Sequence, residues 1–353
     1  MSSSSTICWT ISNRIPNSTN SYIHPIKPYN FNFQQPGSSS NRDCLCLKSR
    51  LLCHNSNSST TTTTSKAVIS ETPYQRVGAA SIGPISSDEL LQSVEFAAKT
   101  GAQVVMEAAA ILNVVRKNFP DHLILGEEGG VIGDSSSDYL WCIDPLDGTT
   151  NFAHGYPSFA VSVGVLYRGR PAAAAVACLA HEPCQDGLFW SYSIDHSQGR
   201  IGKKDSINLY NSRGHQVERA LLVTGFGYEH DDPWAANMNL FKEFTDISRG
   251  VRRLGAAAVD MCHVALGIVE AYWEYRLKPW DMAAGVLIVE EAGGAVSCMD
   301  GGKFTVFDRS LLVSNGVLHS KLLERIGPAT EELKGKGIDF SLWYKPDDYN
   351  TEL

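Results

Sequence analysis

The string Trp141-Cys142-Ile143-Asp144-Pro145-Leu146-Asp147-Gly148-Thr149-Thr150-Asn151-Phe152 constrains this chain more than any other stretch. It begins as a short apolar run, Leu140–Ile143, which reads as a buried strand, and it delivers two acids three residues apart around a proline. Proline cannot continue a hydrogen-bonded ladder. Pro145 is therefore expected to end the pairing and let Asp147 turn back toward the point that Asp144 reaches. Carboxylates held that close repel each other unless a cation lies between them. Hard oxygen donors with no His or Cys nearby select Mg²⁺, Mn²⁺ or Ca²⁺, with magnesium the default. Gly148, Thr149 and Thr150 follow at once, where a helix can begin and turn its N–H groups toward a phosphate.

Two further acidic positions fit the same picture. Leu125-Gly126-Glu127-Glu128-Gly129-Gly130 closes a short strand, His122–Leu125, with paired acids beside glycines. Trp280-Asp281 places a carboxylate where a strongly apolar helix, Met282–Ala292, opens before Gly293-Gly294. Taken singly, the first reads as a turn and the second as a helix N-cap. Beside the Asp-Pro string, both become candidates for one site.

The remaining pattern is mixed. Ser87 with Asp88 and Glu89 predicts an N-cap, and apolar residues then keep helical spacing past Gly101 as far as Phe119, an unusually long run without a stop. Phe159–Tyr167 and Ala172–Ala180 predict a hairpin turning at Arg168–Pro171. His181–Asn208 has no period and reads as loop. Leu221–Thr224 reads as a strand, Asp232-Pro233 as the start of a helix ending near Gly250, Ala257–Gly267 as a helix and Glu270–Leu277 as a strand. A strand–turn–strand over Ala295–Val306 and a helix over Leu318–Ile326 precede an acidic tail. Helices and strands alternate irregularly, which predicts an α/β (α+β) layered sandwich, with helix and sheet layers alternating, over a regular doubly wound sheet.

Charge and composition divide the 353 residues. Residues 1–66 hold six Lys and Arg with the lone acid Asp43 and are rich in Ser, Thr and Asn, the signature of an organellar transit peptide. Its Ser/Thr content favours the chloroplast stroma over the mitochondrion. Residues 67–353 hold 24 Lys and Arg against 37 Asp and Glu, with no basic stripe, which argues against nucleic acid or an anionic membrane as partner. No apolar run is long enough to span a bilayer. The nine cysteines include no CxxC spacing and read as reduced thiols. The expected division is a leader, 1–66; an N-terminal half, 67–217, with the metal and phosphate motifs; a C-terminal half, 218–327; and the tail, 328–353.

Gly126–Phe152 together with Trp280–Gly294 (WDMAAGVLIVEEAGG) resembles the two signatures of the inositol monophosphatase family in order and spacing, with Ile111–Ala180 most similar to plastid members. The resemblance implies a sandwich of the inositol monophosphatase/fructose-bisphosphatase type and a lithium-sensitive phosphomonoesterase acting on inositol monophosphate or a similar small polyol or sugar phosphate. It implies two or three Mg²⁺ held by Glu127, Asp144, Asp147, Asp281 and the Leu146 carbonyl. Attack would be by water activated through Thr149 and Glu127, with Gly148 and Thr149 on the phosphate. Gly255, Ala256, Ala257 and Glu274 would contact the rest of the substrate. Family members are often homodimers.

The chain also departs from that pattern. Between its first helix and Gly126 the family carries a β-hairpin with a phosphate-site lysine and an Asp-x-x-Thr-x-x-Asp string. Here Ala108–Pro120 holds no acid, and roughly two dozen residues are absent near 108–112, as a skipped exon would leave. The stretch 181–208 is also atypical. A catalytically impaired family member is therefore the alternative reading, beside family phosphatases acting on histidinol phosphate, galactose 1-phosphate or a bisphosphate. Haloacid-dehalogenase-type phosphatases use aspartates two apart, whereas these stand three apart around proline.

Overall fold

A computed structural model of the chain describes residues 74–103, 108–178, 188–193 and 215–352. The leader and most of 181–208 lie outside these residues, as do Leu179 and Ala180 at the end of the expected hairpin.

In chain order the elements are α1 (Ser87–Gln103), α2 (Ala108–Asn118), β1 (Leu123–Gly126), β2 (Gly130–Ile132), β3 (Tyr139–Asp147), α3 (Thr149–Ala153), β4 (Ala160–Tyr167), β5 (Arg170–Cys178), β6 (Leu188–Ser193), β7 (Leu221–Thr224), α4 (Asp232–Ile247), β8 (Gly250–Arg252), α5 (Ala257–Ala265), β9 (Ala271–Tyr275), α6 (Pro279–Glu291), β10 (Ala295–Ser297), β11 (Ser310–Ser314) and α7 (His319–Gly335). They build a six-stranded sheet, β2-β1-β3-β4-β5-β6, and a five-stranded sheet, β10-β11-β9-β7-β8.

Alternation along the strands sets the layers, because successive side chains point to opposite faces. In β3, Trp141 and Ile143 join the core with α1 and α2, whereas Leu140 and Cys142 join the core with α5 and α6. In β9, Tyr272 faces that central α5–α6 layer, and Ala271, Trp273 and Tyr275 face the core with α4 and α7. The order is helix, sheet, helix, sheet, helix. Helix α6 is apolar nearly all round because it lies between two sheets, with Met282 to Val289 buried throughout.

Several sequence expectations are corrected here. The long first helix is two helices, α1 and α2, and the hydroxyl at its start is that of Ser86, which accepts from Glu89 N–H at 3.2 Å. The cap of α4 is Asp231, which accepts from Trp234 N–H at 3.2 Å, and not Asp232. Asp281 stands at the third position of α6 behind the N-cap Lys278 and Pro279, so it does not open the helix. The expected loop over 181–208 contains strand β6, paired with β5. After β10 the chain turns and re-enters the sheet only at β11, so no strand forms at 303–306. Helix α7 runs to Gly335 with Pro328 inside it, and the residues expected to form a tail bury Leu333, Phe340 and Tyr349. Hydrophobic anchors, invisible to charge counting, fix that segment. Cys142, Cys178, Cys262 and Cys298 are buried, and the thiols of Cys142, Cys262 and Cys298 are free. Among the described residues no helix is long and apolar enough to cross a membrane.

Candidate active site

Strand β3 is buried along its whole length and does not end at Pro145. Asp144 faces Ser162 of β4 and Asp147 faces Ala160, so two residues of β3 oppose one of β4 between them. The proline sits in this bulge, and pairing resumes beyond it. Two residues three apart in a regular strand point to opposite faces; one extra residue reverses that parity. The bulge is thus why Asp144 and Asp147 both line one cleft. Strand β1 runs parallel to β3, with Gly126 opposite Ile143, so Glu127 leaves β1 level with Asp144. Glu127 N–H donates to the Ile143 carbonyl at 3.2 Å.

Helix starts surround the acids. Both Asp147 oxygens accept from the first turn of α5, from Ala257 N–H and Ala258 N–H at 2.9 Å each and Val259 N–H at 3.4 Å. Asp281 accepts from Lys278 N–H at 2.8 Å, and Asp144 accepts from Leu146 N–H at 2.8 Å. Helix α3 starts at Thr149 behind Gly148, whose φ of 88° is unfavourable for any residue with a side chain. Thr149 Oγ1 donates to the Leu146 carbonyl at 3.1 Å. Asn151 Nδ2 donates to the Ser158 and Leu254 carbonyls at 2.7 Å each, fastening α3 to the loop that carries Gly255 and Ala256 into α5.

The cleft has a volume of about 570 Å³. Glu127, Asp144, Leu146, Asp147, Gly148, Thr149, Gly255, Ala256, Ala257, Glu274 and Asp281 all line it, which brings together every residue picked from the sequence. Asp144 and Asp147 are 2% and 6% exposed, whereas Glu127 reaches solvent. Burial first, then the charges of Asp147, Asp281 and Glu127, hold the Asp144 carboxyl well above the usual carboxylate range. Burial and Asp281 push Asp147 up to about 7 against the opposing α5 N–H groups, and burial pushes Asp281 to about 7 as well. Such mutual repulsion is relieved by a divalent cation.

The spacing is less closed than the sequence reading expects. Among the described residues, no group of three or more His, Cys, Asp or Glu side chains comes together at the separation of a metal cage. Each Asp turns at least one oxygen onto a backbone N–H. A carboxylate has about four lone-pair directions, so every one of these acids keeps acceptors for a cation. The donor chemistry fits magnesium.

Glu274, on β9, is pushed to about 8, chiefly by burial, and Tyr272 Oη donates to its Oε2 at 2.5 Å. Gly225 makes room for it: a Cβ there would stand 1.8 Å from Glu274 Oε2. Sequence reasoning missed Gly225, Arg253, Lys278 and Tyr228, which also line the cleft, and Tyr228 Oη bonds Thr150 Oγ1 at 2.9 Å. It missed Asp260 as well, buried in α5, with Oδ1 lacking a hydrogen-bond partner among the described residues. Burial and the charges of Asp147 and Glu274 raise the Asp260 carboxyl, and Arg253 opposes them. An acid three residues after Ala257 at a helix start was the available signal; Gly225 and Tyr228 lie in a stretch without period and left none.

Residues 95–334 match the model of the inositol monophosphatase family. A chloroplastic phosphatase of Arabidopsis thaliana is 67% identical over 320 residues, covering 82% of this chain and 85% of its own. An inositol-1-monophosphatase of Synechocystis is 39% identical over 218 residues, covering 62% of this chain and 73% of its own. Among solved structures, the inositol monophosphatase of Anabaena superposes with a TM-score of 0.60 at 34% identity, over 69% of this chain and 96% of that one.

Proposed function

The chain belongs to the inositol monophosphatase family, and from that premise we propose that it is a magnesium-dependent phosphomonoesterase acting on inositol monophosphate or a similar small polyol or sugar phosphate. One observation carries the reading: three repelling aspartates, with Glu127 beside them, line the same cleft as the start of α3. In this reading Glu127, Asp144, Asp147, Asp281 and the Leu146 carbonyl hold two or three ions. Bound magnesium would supply a lowered water pKa and a counter-charge for the developing phosphorane-like oxygens.

The protein's own groups do the positioning. Gly148 and Thr149 present N–H groups to the phosphate, and Lys278 and Arg253 add positive charge to the cleft. The Thr149 hydroxyl already donates to the Leu146 carbonyl, leaving its lone pairs to accept a hydrogen bond that orients the attacking water, and the Glu127 carboxylate takes the water's proton. Attack is directly on phosphorus, with no phosphorylated residue. Glu274 receives substrate hydroxyls, and Gly255 to Ala257 wall the same pocket. The similarity to a chloroplastic phosphatase and the Ser/Thr-rich leader support a chloroplast location.

The test is magnesium-dependent phosphate release by the full chain from inositol 1-phosphate, galactose 1-phosphate, histidinol phosphate and fructose bisphosphate. We expect turnover with magnesium, inhibition by lithium and loss in Asp281→Asn. Release that needs no divalent cation would refute the reading. A second reading, a family member that binds magnesium without turning over, is favoured by the two helices α1 and α2 where the family hairpin is expected and by the open spacing of the acids. Magnesium protection without phosphate release would select it.

A further inference from the structure

The residues after α7 form a strap. The Phe340 carbonyl accepts from Arg309 N–H at 2.8 Å, and Trp343 N–H donates to the Phe307 carbonyl at 2.6 Å. Tyr349 is buried, and its hydroxyl accepts from Gly169 N–H at 3.0 Å. Glu352 N–H donates to the Arg168 carbonyl at 2.9 Å. The strap therefore leaves the helix layer outside the five-stranded sheet, passes the start of α6 and finishes on the β4–β5 turn of the six-stranded sheet. Along it Leu342, Tyr344 and Asp348 hold φ of 52°, 58° and 62°, a conformation unfavourable for residues with side chains. Such a backbone persists only where anchors over-determine it.

This backbone delivers two aromatic rings to the cleft. Trp343 and Tyr344 line it with ring centroids 5.4 Å apart. Tyr344 also stands edge-on against Trp280, at 5.1 Å, next in sequence to Asp281. Trp343 lies against the Arg309 guanidinium at 4.1 Å. Support comes from within the protein, yet Tyr344 is 43% exposed. Both residues lie beyond the 95–334 matched by the family model.

We propose that Tyr344, backed by Trp343, is a stacking wall for the apolar C–H face of a ring-shaped leaving alcohol, a cyclic polyol or a pyranose. It makes the cleft selective for ring alcohols over short acyclic ones. An aromatic face takes apolar C–H groups, while hydroxyls on the ring's rim need polar partners. The cleft offers both, with the aromatic pair and the Glu274 carboxyl lining one space. The inference rests on the phosphomonoesterase reading above and names its substrate class.

The test compares kcat/KM of the full chain on inositol 1-phosphate and glycerol 2-phosphate, with magnesium, for wild type, Tyr344→Ala, Tyr344→Phe and the strap control Leu342→Ser. The ratio of ring to acyclic ester should fall about tenfold in Tyr344→Ala. It should stay within about twofold in Tyr344→Phe and Leu342→Ser, with a Tm within a few degrees of wild type in all three. Equal losses on both esters, or a loss in Tyr344→Phe, would overturn the wall. If wild type hydrolyses neither ester and none of the other phosphate esters named above, the phosphatase reading fails by itself. Calorimetric binding of the same two esters then decides the wall, since Tyr344→Ala must weaken the ring ester alone.

Discussion

At the scale of single residues, the acids of the cleft are distinguished by what surrounds them. Asp147 spends both oxygens on α5 N–H groups and is still pushed to about 7, because burial and Asp281 outweigh those bonds. Replacing it with Asn removes the buried charge and keeps one acceptor for α5 while turning an amide N–H₂ onto the other α5 N–H, so relief of the repulsion offsets the lost bond. Asp147→Asn should therefore fold, with a Tm within a few degrees of wild type, and lose magnesium-dependent phosphate release by about two orders of magnitude. Gly225 makes a second case. Alanine there would force Glu274 from its place beside Tyr272, so Gly225→Ala should raise KM for a polyol phosphate by about fivefold while kcat changes less. The acids were legible in the sequence because they stand in a dense string of unusual residues. That Asp144 and Asp147 share a face was not, since the parity depends on a bulge against β4 that only strand pairing reveals.

At the scale of elements, legibility followed length and period. Helix α6 was readable to within a few residues from its apolar run and closing Gly293-Gly294, but three-residue strands such as β8 and β10 carry no period of their own. The strap is fixed by contacts made across the whole chain. Helix α7 begins at His319, fully buried, with Nε2 and Nδ1 each 2.8 Å from the hydroxyls of Ser297 and Ser314. This joins α7 to β10 and β11. Burial depresses the imidazole to about 3. In the unfolded chain it takes a proton near 6.5, so between 6.5 and about 3 the unfolded state binds more protons. His319 therefore contributes nothing to pH dependence above 6.5, and stability is lost as pH falls from 6.5 toward 3, by about 1.4 kcal/mol per pH unit. Urea unfolding at pH 7, 6 and 5 should show this slope in wild type relative to His319→Gln. Parallel curves for the two proteins would refute it.

At the scale of the molecule, two sheets with a helix layer between them place β3, α5 and α6 so that their acid-bearing ends meet in one cleft. The layered architecture was readable from the irregular alternation of elements, whereas the separation of the acids was not, because they sit on β3, α6 and the end of β1, whose spacing is set by tertiary packing. Asp147 and Asp281 are raised from the usual carboxylate range to about 7. A group raised on folding stabilises the protein below its unfolded pKa and ceases to as pH rises through its folded one. The metal-free protein should thus lose part of its stability between about pH 4 and 7, opposite in sign to His319. The most direct measurement is the Tm of the full chain at pH 7.5 as magnesium is titrated in, for wild type and for Asp144→Asn with Asp281→Asn. Cations shared by these carboxylates predict a Tm that climbs with magnesium in wild type and stays flat in the double variant. Equal shifts in both proteins, or none in wild type, would contradict it.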